Sequence, residues 1–201
     1  MHLIVTPTLK AASNDKERSH LYELLGQRIT KHVEPRYVSD DMLRGQEEEV
    51  DAVEAYAKHY APIKRVGFVT NDKWGFTIGY SPDALVGDDG LLECKSRSQK
   101  YQIRTLVSYV PHNIIDPDFE IQVQTGLLVT ERNWLDSTSY CGGLPMATVR
   151  VFPDDQIQNA ILNAATAFED RLGAAQDRFE AVLRSKARLI QTKRKVYQEM
   201  I

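Results

Sequence analysis

Three charged side chains on two neighbouring apolar segments could act together on one substrate. Asp83 precedes the segment Ala84–Val86, and Glu93 and Lys95 lie in the next apolar segment. The intervening residues 87–90, two glycines around two aspartates, predict a hairpin because Gly and Asp tolerate the backbone angles of tight turns. Since side chains alternate faces along a strand, Glu93 and Lys95 should share a face, and the hairpin should bring Asp83 back toward Glu93.

The chemistry that such a cluster predicts is phosphodiester hydrolysis. Two carboxylates and the backbone carbonyl of Cys94 supply the hard oxygen ligands that Mg²⁺ prefers. A bound Mg²⁺ would stabilise charge on a phosphate and lower the pKa of an attacking water, which the Lys95 ammonium could orient. An isolated Glu-x-Lys pair is more often a solvated ion pair, so the prediction depends on Asp83 and the hairpin as well.

The register of this hairpin decides whether the two carboxylates meet. A symmetric four-residue loop over residues 87–90 pairs Ala84 with Glu93 and turns Asp83 away from Glu93. A shorter loop or a β-bulge pairs Asp83 with Glu93 instead, and Pro82 could also kink the entry to the strand. We predict one of these irregularities.

The elements that must position the cluster follow from the hydrophobic pattern. The predicted order is a helix from residue 13 or 14 to about 33, a helix from 39 or 40 to about 62, strands at 66–70, 76–80, 84–86 and 91–95, helices over 101–110 and 119–130, strands at 137–140 and 146–152, and a long helix from residue 154. Residues 119–130 fit helix or strand, and helix is favoured. Gly173 could break the last helix.

Length and composition predict one globular domain of the α/β class with a mixed sheet. All 201 residues are expected in a single domain, with a core over about 18–152 and a C-terminal helical segment over about 154–199. No apolar run approaches the roughly 20 residues that cross a bilayer, so no membrane partner is expected. Two cysteines are too few for a disulfide framework, which favours a cytoplasmic location, and the net charge of −3 argues against nonspecific nucleic-acid binding.

The chemistry-bearing segment carries a motif. Ser-Pro-Asp at residues 81–83 precedes the turn, and Glu-Cys-Lys at residues 93–95 follows it. This pattern resembles the Pro-Asp…Glu-x-Lys motif of the restriction-endonuclease-like nuclease superfamily, and more narrowly that of lambda exonuclease and the YqaJ-like viral recombinase family. Ala84 stands where the family usually has Gly, and Cys94 fills the middle position, so no metal ligand is lost. The resemblance covers about residues 18–152.

A second segment, residues 44–52, resembles the family's Arg-Gly-x-x-x-Glu motif. It maps the acid that approaches the metals from a helix onto Glu49. The spacing of apolar residues also puts Glu49 on the apolar side of its helix, whereas Glu47 and Glu48 are expected to be solvated.

A third segment, residues 119–124, resembles the family's aromatic-x-x-Gln-x-Gln pattern. It maps the active-site glutamine onto Gln122, whose amide can donate to a phosphate or metal-bound water and accept from Lys95. Ser81 matches the family's serine and could either hydrogen-bond a phosphate or serve as a turn residue.

The resemblance implies a restriction-endonuclease-like core, in which helices flank a central mixed β-sheet and a long C-terminal helix follows. It implies a 5′-to-3′ exonuclease that uses Mg²⁺, with Mn²⁺ as a substitute, to degrade double-stranded DNA ends to mononucleotides. The remaining 3′ single-stranded tails would serve phage-type recombination. The implied partners are DNA ends, a single-strand-annealing protein and further copies of the chain in a ring-shaped trimer, in the cytoplasm of a bacterial host.

The residues available to bind the 5′-phosphate differ from those of the family. Its arginine is missing at the usual spacing, so the candidates for this DNA contact are Arg28, Lys31 and His32. The alternative is that all three are charges on a helix surface.

Three alternative functions stay open. A structure-specific endonuclease and a RecB-like nuclease would share the metal core, although the latter normally has Gln-x-x-x-Tyr, and here Gly126 follows Gln122 at that spacing. A DNA-binding module whose catalysis has lapsed should have lost at least one of Asp83, Glu93 and Lys95, and all three are present.

Overall fold

Helices and strands follow one another in nearly the predicted order. The computed structural model describes residues 1, 3–35, 37 and 39–194, and only the backbone of residues 40 and 41. The α-helices of the described residues are α1 (Asp15–Thr30), α2 (Asp40–His59), α3 (Gln99–Arg104), α4 (Glu120–Thr130) and α5 (Asp155–Leu183). The strands are β1 (Ile63–Lys64), β2 (Val69–Asn71), β3 (Ile78–Tyr80), β4 (Ala84–Val86), β5 (Gly90–Ser96), β6 (Trp134–Tyr140) and β7 (Ala147–Val151).

A five-stranded mixed sheet forms the centre of the fold. Its strand order is β1-β4-β5-β6-β7, and β2 pairs with β3 in a separate hairpin. β5 and β6 run parallel, whereas the other neighbours are antiparallel. A parallel pair needs a crossover connection, and α3 and α4 provide it. The predicted α/β class, with helices flanking a mixed sheet and a long C-terminal helix, is confirmed.

The turn between β4 and β5 is a loop of fewer than four residues, one of the irregularities predicted from the sequence. Val86 pairs with Gly90, which leaves three residues in the loop. Gly87 has a φ of 55°, in the left-handed region that glycine adopts without a steric penalty. Continuing this register by one residue places Asp83 opposite Glu93, so the turn brings the two carboxylates together.

β5 is buried on both faces by helices from different parts of the chain. Leu91 packs with Val123 of α4, whereas Leu92 and Cys94 pack with Tyr56 of α2. The strand is therefore covered by α4 on one face and by α2 on the other. Each helix carries one of the predicted site residues toward β5.

Several elements differ in extent from those predicted, and the short strand β1 was not predicted. The helix expected over 101–110 is the short α3, followed by a π-helical turn, Thr105–Tyr109, and a 3₁₀ turn, Val110–His112. Residues 119–130 form the helix α4, as predicted.

The long helix α5 ends earlier than predicted. It continues across Gly173 without a break and ends at Leu183 rather than near residue 199. Residues 184–194 are exposed and not helical, because the apolar spacing that packs α5 into the core stops after Ala175. Residues 195–199 of the predicted segment lie outside the described residues. Among the helices that the structure describes, none has both the length and the apolar character to cross a membrane.

Candidate active site

Glu93 is the centre of the predicted cluster. Glu93 is only 3% exposed, and both of its carboxylate oxygens accept hydrogen bonds. Oε1 accepts from Lys95 Nζ at 2.6 Å and from Gln122 Nε2 at 2.6 Å, and Oε2 accepts from the hydroxyl of Tyr80. Burying a polar group without such partners would cost free energy on folding. The structure therefore brings Glu93, Lys95 and Gln122 together from β5 and α4.

Asp83 lies against the backbone of β5. Its Oδ2 accepts the amide N–H of Cys94 at 2.5 Å. Burial, together with the negative charge of Glu93, raises the pKa of Asp83 to about 7, although the Cys94 amide and the Lys95 ammonium act in the opposite direction. Two carboxylates thus lie close together with too little positive charge around them, which is the environment that a bound cation would relieve.

Glu49 approaches from α2. It is half-buried, and its charge contributes to raising the pKa of Asp83. Glu47 is exposed, as expected, but the prediction that Glu48 is solvated is wrong. Glu48 accepts a hydrogen bond from Ser96 at the end of β5, because residues 48, 52 and 56 repeat at helical spacing on the side of α2 that faces the sheet.

Tyr80 is a site residue that the sequence reasoning missed. It is buried at the end of β3 and donates its hydroxyl to Glu93, and burial raises its pKa, so it stays protonated. Its ring occupies space left by Gly126 on α4, where a Cβ atom would lie 2.6 Å from the Tyr80 ring. The signal was Gly126 itself: a glycine four residues after Gln122 leaves room for a ring from another element.

A cavity of about 450 Å³ opens beside this cluster. It is lined by Tyr80 and Gln122, which bond Glu93, by Ser81, Arg28 and Glu169, and by several aromatic side chains. Arg28 and Ser81 are thus the two predicted DNA-binding residues that border the site.

Arg28 is already paired at the edge of this cavity. Its guanidinium donates two hydrogen bonds to Glu169 of α5, at 2.8 and 2.7 Å. The other two predicted contacts lie elsewhere: Lys31 follows the C-terminus of α1, and His32 lines a separate cleft along that helix.

The site's donors suit a hard divalent cation. In the described part of the chain, no three His, Cys, Asp or Glu side chains are grouped so as to hold a metal ion. Asp83, Glu93 and the Cys94 carbonyl nevertheless offer oxygen atoms, the donor type that Mg²⁺ prefers, and waters commonly complete its coordination. The electrostatic cost of packing Asp83 beside Glu93 fits a site that gains a cation.

Known families and structures resemble the chain over most of its length. A family model described as the YqaJ-like viral recombinase domain matches residues 9–133. The crystal structure of an alkaline exonuclease, LHK-Exo, from Laribacter hongkongensis is 27% identical, with a TM-score of 0.75 over 89% of this chain and 90% of that one. LHK-Exo in complex with dAMP is 28% identical, with a TM-score of 0.76 over 86% and 88% of the two chains.

A more distant structure shares the fold. A phage-related exonuclease from Haemophilus somnus 129PT is 12% identical, with a TM-score of 0.56 over 86% of this chain and 96% of that one. No curated protein matches the chain significantly.

Proposed function

We propose that this chain, which belongs to the YqaJ-like viral recombinase domain family, is a Mg²⁺-dependent 5′-to-3′ exonuclease that acts on double-stranded DNA ends. It releases mononucleotides and leaves 3′ single-stranded tails for phage-type recombination. The observation that carries the proposal is the convergence of Lys95, Gln122 and Tyr80 on the buried Glu93, with Asp83 beside it. A purely structural ion pair needs neither the extra donors nor the second carboxylate.

The oxygen donors of this site would hold the metal. Asp83, Glu93 and the Cys94 carbonyl are the ligands, and Glu49 completes the acidic cluster from α2. Bound Mg²⁺, or Mn²⁺ in its place, supplies charge stabilisation on the phosphate and a lower pKa for an attacking water.

The remaining side chains position the water and the phosphate. Lys95 is held by Glu93, and its Nζ lies 5.3 Å from the centre of the Phe119 ring. This leaves an ammonium whose further N–H groups can donate to a water or a phosphate oxygen. Gln122 donates to the same oxygen of Glu93, so its carbonyl oxygen is available to accept from a water.

The cavity beside the cluster would take the nucleotide at the strand end. LHK-Exo, whose chain is covered to 88% by the match, has been solved in complex with dAMP. Ser81 offers a hydroxyl to a phosphate at the cavity wall. Arg28 can contribute only if it leaves Glu169 or shares its donors between two anions.

The assembly belongs to the same proposal. We propose a single nuclease domain that works in a bacterial host's cytoplasm, as a ring-shaped trimer beside a single-strand-annealing protein. Both the trimer and the annealing partner come from the family resemblance.

Three DNAs and Mg²⁺ test the activity: a linear duplex with 5′-phosphates, the same duplex without them, and a closed circle. We expect mononucleotides from the phosphorylated linear duplex, none from the circle and none with EDTA. Labelling one strand at its 5′ end and the other at its 3′ end gives the direction of degradation. Cutting of the circle would favour a structure-specific endonuclease, and the absence of cleavage on every DNA would favour a DNA-binding module.

A further inference from the structure

A basic cleft with an exposed aromatic side chain lies beyond the end of β5. It has a volume of about 320 Å³ and is lined by Arg44, Gly45, Ser96, Arg97, Ser98 and Tyr101. Phe119 connects it to the candidate active site, because Lys95 Nζ and the Arg97 guanidinium lie 5.3 and 4.8 Å from the centre of that ring. The cleft therefore adjoins the candidate active site.

Arg44 and Arg97 line the cleft, and the described residues that line it include no acid. The Arg97 side chain is 10% exposed and donates to Asp116 at 2.6 Å, while its Nε–H has no partner among the described residues. Arg104 donates to the same oxygen of Asp116, also at 2.6 Å, so two guanidinium groups share one carboxylate that is 4% exposed. Glu48 is mostly buried; it accepts from Ser96, and its Oε2 lies 3.9 Å from Nε of Arg44.

Tyr101 adds an aromatic ring to this charge. Its residue is 41% exposed, and the guanidinium of Arg97 and the ammonium of Lys100 lie 5.1 and 5.2 Å from its ring centre. Lys100 is exposed, and its side chain is long enough to turn from the ring toward a phosphate. Rings interleaved with basic side chains are how proteins bind single-stranded nucleic acid, because every base has a face that can stack.

We infer that this cleft binds the single-stranded part of a DNA strand that enters the candidate active site, with Tyr101 stacked on a base and Arg44, Arg97 and Lys100 on phosphates. The ligand is single-stranded because paired bases keep their faces covered by neighbouring bases. The inference rests on the proposed function, which supplies the DNA end at Glu93.

Binding in EDTA tests the cleft without requiring hydrolysis. The full chain and its variants are titrated into a fluorescent single-stranded oligonucleotide, and anisotropy gives the dissociation constant. We expect Tyr101→Ala to weaken binding about tenfold, since removing a stacking side chain commonly has effects of this size. Tyr101→Phe should bind like the unchanged chain, because the ring rather than the hydroxyl stacks. Tyr22→Ala, on the exposed side of α1, is the matched control and should have no effect.

The salt dependence of binding tests the phosphate contacts. Lys100→Gln should lower the slope of log affinity against log salt by about 0.7, the value for one phosphate on a single strand. Lys16→Gln, on α1, should leave the slope unchanged.

The two proposals can fail separately. If the unchanged chain does not bind the oligonucleotide, or if Tyr101→Ala binds as tightly as Tyr22→Ala, the cleft inference is overturned even where the enzyme degrades DNA. Weaker binding by Tyr101→Ala in a chain that hydrolyses no DNA would support the cleft and remove the exonuclease.

Discussion

The two carboxylates of the candidate site, Glu93 and Asp83, differ in how well hydrogen bonds compensate their negative charge. The oxygens of Glu93 receive hydrogen bonds from an ammonium, an amide and a phenol, so Glu93 itself is well compensated. Asp83, by contrast, has one backbone N–H, and its pKa is raised to about 7 from an ordinary 3.8. Ionising Asp83 in the native protein therefore costs stability.

Without metal, Asp83→Asn should stabilise the chain at high pH. The raised pKa means that the unfolded chain loses this proton first, so the native protein loses stability as the pH rises from about 4 to about 7. Asn removes the negative charge and can still accept from the Cys94 amide. Thermal unfolding in EDTA should give the variant a higher Tm at about pH 8, with a gap that closes toward about pH 4.

Added Mg²⁺ supplies the control for this prediction. It should raise the Tm of the unchanged chain and not that of Asp83→Asn, because a ligand that binds only the native state stabilises it. A variant that is less stable than the unchanged chain at high pH in EDTA would show that Asp83 is not under electrostatic strain.

How far the sequence predicts this site differs from residue to residue. Asp83, Glu93 and Lys95 follow from strand alternation and one hairpin, and only the length of the loop was ambiguous. Gln122 needed the family resemblance, because nothing local distinguishes it from a surface glutamine. The Arg28 pair with Glu169 joins residues 141 positions apart, and no local pattern encodes such a contact.

At the scale of the elements, α4 and β3 pack closely because Gly126 of α4 leaves room for the ring of Tyr80 at the end of β3. A side chain at this position would meet the buried Tyr80 ring and push it away from Glu93. Gly126 signals that α4 accepts a ring, but the sequence does not identify Tyr80 as that ring, because β3 lies outside the central sheet and packs on α4 in the folded chain.

Gly126→Ala should therefore reduce both stability and activity. Inserting a methyl group into a packed site commonly costs about 1–3 kcal/mol, and displacing Tyr80 removes a donor from Glu93. Unfolding in urea and the rate of mononucleotide release measure the two effects. Gly173→Ala is the matched control, since it lies in α5 with open space around it and should gain about 0.5–1 kcal/mol. The same gain from both substitutions would mean that Gly126 does not make room for Tyr80.

The helix α2, which carries Glu49, is fixed to the sheet by a buried polar contact. The hydroxyl of Tyr56 donates to Asp136 of β6 at 2.6 Å, and Arg150 of β7 donates to both oxygens of that carboxylate. Tyr56 is fully buried, and the contact joins α2 to two strands.

Tyr56→Phe should lower the free energy of unfolding by about 1 kcal/mol, the usual net value of such a hydrogen bond, because Arg150 still pairs with Asp136. In a chain of this size, the Tm should fall by about 2–4 °C. Tyr60→Phe changes an exposed tyrosine directly after the last residue of α2 and should leave the Tm unaltered. Equal shifts for the two variants would rule out the contact as the anchor of α2.

At the scale of the whole molecule, the site lies where three separated parts of the chain meet. The hairpin β4–β5 provides the carboxylates and the lysine, α2 covers one face of it and α4 the other. The hydrophobic pattern predicted the order of these elements because burial determines it. The end of α5 was not predicted, because charged residues beyond Leu183 are as compatible with helix as with the exposed chain that follows.

The central claim is that the side chains gathered at Glu93 hydrolyse the phosphodiester bond, and Lys95 tests it most directly. The measurement is the rate of mononucleotide release from a 5′-phosphorylated linear duplex in Mg²⁺, alongside duplex binding in EDTA, for Lys95→Gln and for Lys16→Gln. The account predicts that Lys95→Gln loses at least about a hundredfold in rate, as expected when a donor to the developing charge is removed, with binding nearly unchanged. Lys16→Gln should match the unchanged chain. A Lys95→Gln variant that releases mononucleotides at the original rate would contradict the account.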